Sequence, residues 1–389
     1  MNLKRVLLLF PMLVLAISGC NINNEPLGVR RELVGEGDVG NILKTALFST
    51  PDDTSIAVTL NTGSASLLLA GEAQNVTSEF LIAFSKVDSS GIKAAKLVLP
   101  IYLVAGAGSA YTPTVHRVLR AWKEDSVLAN NLQAPYFDPA NGGQARFPAL
   151  DSLRENVNTD TLYFELDSTF VRSLASDSVN VVIRSLDRDV LFEFHSRQSF
   201  DRVPVLELVQ SRTGRPDTTL RFTARADAYV FRREVPLPND RFYVSNTERY
   251  ETYLRFTPLD SIPANATINR ANLRLNIDRD HTFITSDGLS CTIFLVDTVN
   301  RGADSLSFDL RFPGTGISRV IGKADLTAEF SLTGTVQGWL IAPEFNVGLA
   351  IEPGTPTRDL QRAAFHTATS NAALSPVLTI DYTTPPTVE

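Results

Sequence analysis

Ala271-Asn272-Leu273-Arg274-Leu275-Asn276-Ile277 alternates apolar and polar side chains with a period of two, the pattern of a β-strand with one face in a core. Outward from it lie runs of similar β-type character: Lys96-Leu97-Val98-Leu99-Pro100-Ile101-Tyr102-Leu103, Val203-Pro204-Val205-Leu206-Glu207-Leu208 and Pro376-Val377-Leu378-Thr379-Ile380-Asp381-Tyr382. Clusters of Asp, Asn, Gly, Pro and Ser separate them, as turns require. No long stretch sustains the i, i+3, i+4 apolar spacing of a helix. The fold class that follows is all-β.

The strands repeat. Ile82-Ala83-Phe84 returns as Leu254-Arg255-Phe256, and Ala95-Lys96-Leu97-Val98-Leu99 as Ala271-Asn272-Leu273-Arg274-Leu275. Phe194-His195-Ser196 returns as Phe365-His366-Thr367, and Pro204-Val205-Leu206 as Pro376-Val377-Leu378. The offsets are 172, 176, 171 and 172 residues, so order is kept while loops change length. This predicts two related domains, 41–212 and 213–389. The division is placed at the polar segment Ser211-Arg212-Thr213-Gly214-Arg215-Pro216-Asp217.

The N-terminus has a different character. Lys4 and Arg5 precede an apolar run, Val6 to Gly19, broken by Pro11 and Ser18. Such a run is short for a permanent span, which needs roughly 20 apolar residues. It fits an export leader over residues 1–19. Ile17-Ser18-Gly19-Cys20 resembles the bacterial lipobox, which implies that Cys20 becomes a lipidated N-terminus. Residues 20–40, with Gly28, Gly35, Gly37 and Gly40, read as a tether. The expected location is the cell envelope, with the outer membrane favoured over the inner because Asn21, not Asp, follows Cys20. The other cysteine, Cys291, sits in an apolar run and reads as a small core residue. The net charge of −7 becomes −9 once Lys4 and Arg5 leave with the leader. With no basic cluster in the sequence, nucleic acid is excluded as a partner.

At these same stretches the chain resembles the DNRLRE-type domains of secreted and surface bacterial proteins, some of which are carbohydrate-binding modules, alginate binders among them. The second copy carries Ala226-Asp227-Ala228-Tyr229-Val230, Tyr253-Leu254-Arg255-Phe256, Leu259-Asp260-Ser261-Ile262-Pro263, Val336-Gln337-Gly338-Trp339-Leu340 and the closing strand at 376–382. The first copy matches more loosely, through 63–71 and Val118-Leu119-Arg120-Ala121-Trp122-Lys123-Glu124-Asp125-Ser126-Val127. The resemblance implies a jelly-roll-like β-sandwich for each copy, with sugar binding among its functions.

Trp122 ends a strand-like run beside a polar turn, where an exposed indole would stack on a sugar ring and a buried one would cap the core. The core role is favoured for Trp122 and more strongly for Trp339. Arg117 and Arg120 are the nearby groups that would meet an acidic polymer. His195 and His366 occupy equivalent places, which points to one internal hydrogen bond made twice rather than to metal ligands. His116 and His281 stand apart, and Asp278-Arg279-Asp280 reads as a solvated loop rather than a calcium site. No nucleophile elbow, phosphate loop or dinucleotide fingerprint is present. The expectation is therefore a non-enzymatic, lipid-anchored protein that needs no cofactor. Its modules would bind a polysaccharide or another envelope component, with a structural or adhesive protein-binding role as the alternative. A polysaccharide lyase or hydrolase ranks last, since it needs a convergent carboxylate pair in a cleft.

Overall fold

The computed structural model describes residues 44–385 except 50–51, 59, 89, 128–135, 151–152, 154–159, 175–177, 257–258, 286–287, 303–305 and 355–358. Cys20, the Ile17-Ser18-Gly19 segment and the 20–40 tether lie outside the described residues. Among those described, no helix is long and apolar enough to cross a membrane. The architecture is all-β, and the described residues form two large hydrophobic cores with smaller clusters beside them.

Around the first core, one sheet joins β12 (Thr218–Thr223), β11 (Val205–Gln210), the first half of β5 (Ile92–Ala105), β8 (Thr161–Leu166) and β7 (Gly143–Arg146). A second sheet takes the other half of β5, then β10 (Val190–His195), β3 (Leu67–Ala73), β4 (Val76–Phe84), β9 (Val179–Arg184) and β6 (Thr114–Arg117). β5 can serve both sheets because it changes partner in its middle. Val98 is opposite Val205 of β11, whereas Ile101 is opposite Phe194 of β10. Pro100, which has no N–H to give, falls in the gap between these partners. Leu97, Leu99, Phe164, Phe80, Ile82 and Phe192 fill the space between the sheets, each at most 1% exposed.

The second core repeats this plan. β23 (Val377–Thr383), β16 (Thr267–Asn276) and β20 (Thr327–Ser331) form one sheet, and β15 (Tyr250–Arg255), β21 (Leu349–Pro353) and β17 (Leu289–Arg301) the other. β18 (Leu306–Leu310) and β19 (Ile317–Ile321) flank β17, and β14 (Arg241–Ser245) pairs with β22 (Arg362–His366). A helix follows β8 and β20 alike: α1 (Ser168–Leu174) and α2 (Thr333–Ile341).

The first strands of the two copies are exchanged. β1 (Lys44–Ser49) pairs with β23, and β2 (Asp52–Ala57) pairs with β15, so the chain's opening strands complete the second unit. Conversely, β12 pairs with β11, and β13 (Ala226–Arg233) pairs with β4, so the opening strands of the second copy complete the first unit. The registers correspond throughout. Lys44 faces Tyr382 as Thr218 faces Gln210, and Asp52 faces Arg255 as Ala226 faces Ala83. In both comparisons the donor strands are offset by 174 residues and the acceptors by 172. The cores follow the strands: Phe48 belongs to the second and Tyr229 to the first.

The polar segment at 211–217 accordingly closes a hairpin between β11 and β12, with Gly214 at φ +73° and Arg215 N–H donating to the Arg212 carbonyl. The division read from sequence at 212/213 falls inside this hairpin, and the chain leaves the first unit only after Arg233. Gly and Pro punctuate a hairpin turn as readily as a linker.

Candidate functional site

The first unit opens into a cleft of about 530 Å³ lined by Ala83, residues 117–124, Leu174, Ser178, Asn180, Arg225 and Ala226. Its wall begins where β6 ends. Val118 bridges to Phe137, Leu119 N–H donates to the Tyr136 carbonyl, and Asp138 N–H donates to the Arg117 carbonyl. The His116 imidazole fastens the returning segment, with Nδ1 3.0 Å from the Asp138 carbonyl and 3.1 Å from that of Ala140. Nε2 lies 2.8 Å from the Thr114 hydroxyl. Burial holds this imidazole below its ordinary pKa, which favours the neutral ring that such a set of partners suits.

Beyond Lys123 the wall turns through a short 3₁₀ segment, Glu124–Ser126. Gly63 holds that turn in place by close approach: a Cβ there would meet the Glu124 carbonyl oxygen at 1.9 Å. The Glu124 carboxylate accepts both Arg197 Nε and Nη2 at 2.5 Å, and the Asp227 N–H at 3.1 Å. This is a bidentate pair, so Glu124 is fixed and largely neutralised. Beneath it, Asp227 is fully buried, and its Oδ2 accepts from Arg197 N–H at 2.6 Å. Burial first, and the neighbouring Glu124 charge among the lesser causes, push its pKa up to about 7.

Arg117, Arg120 and Trp122, singled out in the sequence, therefore share one cleft. Trp122 is half-buried and packs against a satellite cluster of Leu81, Val118, Val127, Tyr136, Val182, Ala228 and Val230. Its indole N–H is buried with no hydrogen-bond partner among the described residues. Lys123 and Arg225 join the two arginines. None of these four cations has an ion-pair partner among the described residues. Sequence reasoning missed Arg225 because it arrives with the exchanged strand, next to β13. Its signal was its place directly before Ala226-Asp227-Ala228-Tyr229-Val230.

A cleft of about 430 Å³ in the second unit has different chemistry, lined by Arg255, Phe256, Leu259, Asp260, Ile262, Pro263, Ala264, Trp339, Leu340, Pro343 and Asn346. Trp339 is 3% exposed and belongs to the core.

The remaining candidates have structural partners. His195 Nδ1 lies 3.1 Å from Ser199 Oγ, and His366 Nδ1 lies 3.4 Å from Ser370 Oγ, each hydroxyl four residues downstream. Asp278 is 4% exposed rather than solvated, because its carboxylate takes Arg241, His281 Nδ1 and the Asp280 N–H. Cys291 is 1% exposed, and burial pushes its thiol pKa far up, so it is not a nucleophile at neutral pH. Among the described residues, no three His, Cys, Asp or Glu side chains gather as a metal site.

A scan against protein-family models found no match for this chain, and a search of curated proteins found none either.

Proposed function

We propose that this chain is a lipid-anchored envelope protein, non-enzymatic, that holds an acidic polysaccharide in the cleft walled by Arg117, Arg120, Lys123 and Arg225. The observation that carries the reading is this concentration of cations. Four positive side chains line one cleft of a chain whose net charge is −7, and the single acid among the described lining residues, Glu124, is already paired with Arg197. A carboxylated polymer repelled by the rest of the surface would be drawn to this locus. Asn180 and Ser178 add polar side chains suited to sugar hydroxyls, and the half-buried Trp122 adds an aromatic edge.

The same geometry disfavours hydrolysis. Glu124 is held by two guanidinium hydrogen bonds, and Asp227 is closed off from the cleft, so among the described residues no free carboxylate pair flanks the gap. The membrane attachment in this proposal rests on Ile17-Ser18-Gly19-Cys20 and the leader before it. Two or more acyl chains on Cys20 would give stable anchoring.

Affinity electrophoresis of the lipid-free chain through alginate tests the binding. Retardation is expected, weakening as salt rises, and the Arg120→Glu/Arg225→Glu variant should lose it by roughly tenfold or more. Equal mobility with and without alginate would refute the polysaccharide reading. A Cys20→Ala protein still retained wholly in the membrane pellet would refute the anchor.

A further inference from the structure

We propose that β1–β2 is an exchangeable strand pair, and that the β23 and β15 edges it occupies also accept the β1–β2 pair of a second copy of this chain, giving a reciprocal dimer. The separability of the pair is already visible within one chain. Both copies of the repeat have surrendered their opening strands to the other unit, in matching registers. An acceptor edge in this fold is thus satisfied by strands from outside its own copy.

The pair is held mainly through its backbone ladders. Among its described side chains Phe48 is 8% exposed, Ala46 packs partly buried against the second core and the Ser55 hydroxyl accepts from Tyr243 N–H at 2.6 Å, while Leu47 is 70% exposed and Thr54 and Ala57 are exposed. The equivalent β13 buries Ala228 and Tyr229 completely and leaves Val230 only 7% exposed. The attachment to the body is short and sharply divided. Val58 N–H donates to the Arg249 carbonyl of the second unit, whereas Thr62 N–H donates to the Val127 carbonyl and its hydroxyl to the Tyr229 carbonyl, both on the first. Between these two anchors, four positions apart, the chain passes from one unit to the other.

The occupant is a second copy because β1–β2 carries the side chains and register that these edges already fit. An exchange between chains rebuilds every strand pairing of the single chain, so its cost is the entropy of association, which protein concentration offsets.

The test uses the full mature chain with Cys20→Ser, and Cys291 left in place because it is buried. Leu47 and Thr379 are directly opposite in the β1–β23 register. Chains carrying Leu47→Cys alone are mixed with chains carrying Thr379→Cys alone, incubated, diluted and oxidised, and the disulfides are mapped by peptide mass. The expected result is an interchain 47–379 link that rises about tenfold when the mixing concentration rises about tenfold. Chains bearing both cysteines and oxidised before mixing should be locked and exchange nothing. The proposal is overturned if the mixed single variants never form the 47–379 link while the double variant closes within its own chain. It is equally overturned if the double variant fails to close.

Discussion

Asp227 is a carboxyl whose chemistry departs far from that of a free one, and its position explains why. It lies at the base of β13, wholly buried, with Glu124 beside it and Arg197 N–H as a hydrogen-bond donor. The folded-state pKa of about 7 stands above the ordinary 3.8, so the folded protein holds a proton that the unfolded chain releases. The stabilisation is complete below the unfolded value and is lost as pH rises through the folded one. Stability should fall between these limits by at most about 4 kcal/mol. Asp227→Asn should remove most of that slope, measured as the difference in urea midpoint between about pH 5 and about pH 8. An unchanged slope in the variant would assign the titration to another group. Close by, Gly63→Ala should displace the Glu124 turn and weaken polysaccharide retardation, since the added methyl collides with backbone rather than with a flexible tip. At this scale the sequence was informative where the site is local: Arg117, Arg120 and Trp122 are near neighbours on one wall. It was silent on Arg225, which is about a hundred residues away along the chain and reaches the cleft through strand exchange.

At the scale of elements, period-two alternation located the strands well, because a buried sheet face imposes it directly. β16 and β23 bury alternate residues along most of their length. What alternation does not encode is the partner of an edge strand. β1 and β12 are both mostly exposed and would fit either unit by pattern alone. Their pairing is a long-range property, set by which acceptor edge lies within reach of the connecting segment. Two core truncations separate sequence membership from structural membership. Tyr229→Ala removes a wholly buried ring and should cost about 3–5 kcal/mol. Its loss of amide protection should appear in β4 and β9 of the first unit, although Tyr229 belongs to the second copy. Phe48→Ala should loosen β23 and β16 of the second unit by about 2–3 kcal/mol, a smaller effect because Phe48 lies near the surface. Hydrogen exchange resolved by segment reads both outcomes, and protection lost in the opposite unit would contradict the assignment.

For the whole molecule, reciprocal exchange ties the two units together without a disulfide. The first core reaches into the second copy for Tyr229 and also for Leu360, whose N–H lies 3.4 Å from the Glu193 carboxylate. The candidate cleft depends on this arrangement, since Arg225 and Ala226 close it from the second copy. A repeat read from sequence fixes how many units there are, yet it leaves open whether each unit keeps its own first strands. The two arrangements place β1 against different neighbours. In the exchanged form Leu47 faces Thr379, whereas in a simple tandem it would face Glu207, where Arg221 of β12 now stands. The decisive measurement is therefore intrachain disulfide formation in dilute, lipid-free protein carrying Leu47→Cys with either Thr379→Cys or Glu207→Cys. The account predicts rapid closure of the 47–379 pair and none of the 47–207 pair; closure of 47–207 with 47–379 left reduced would contradict it.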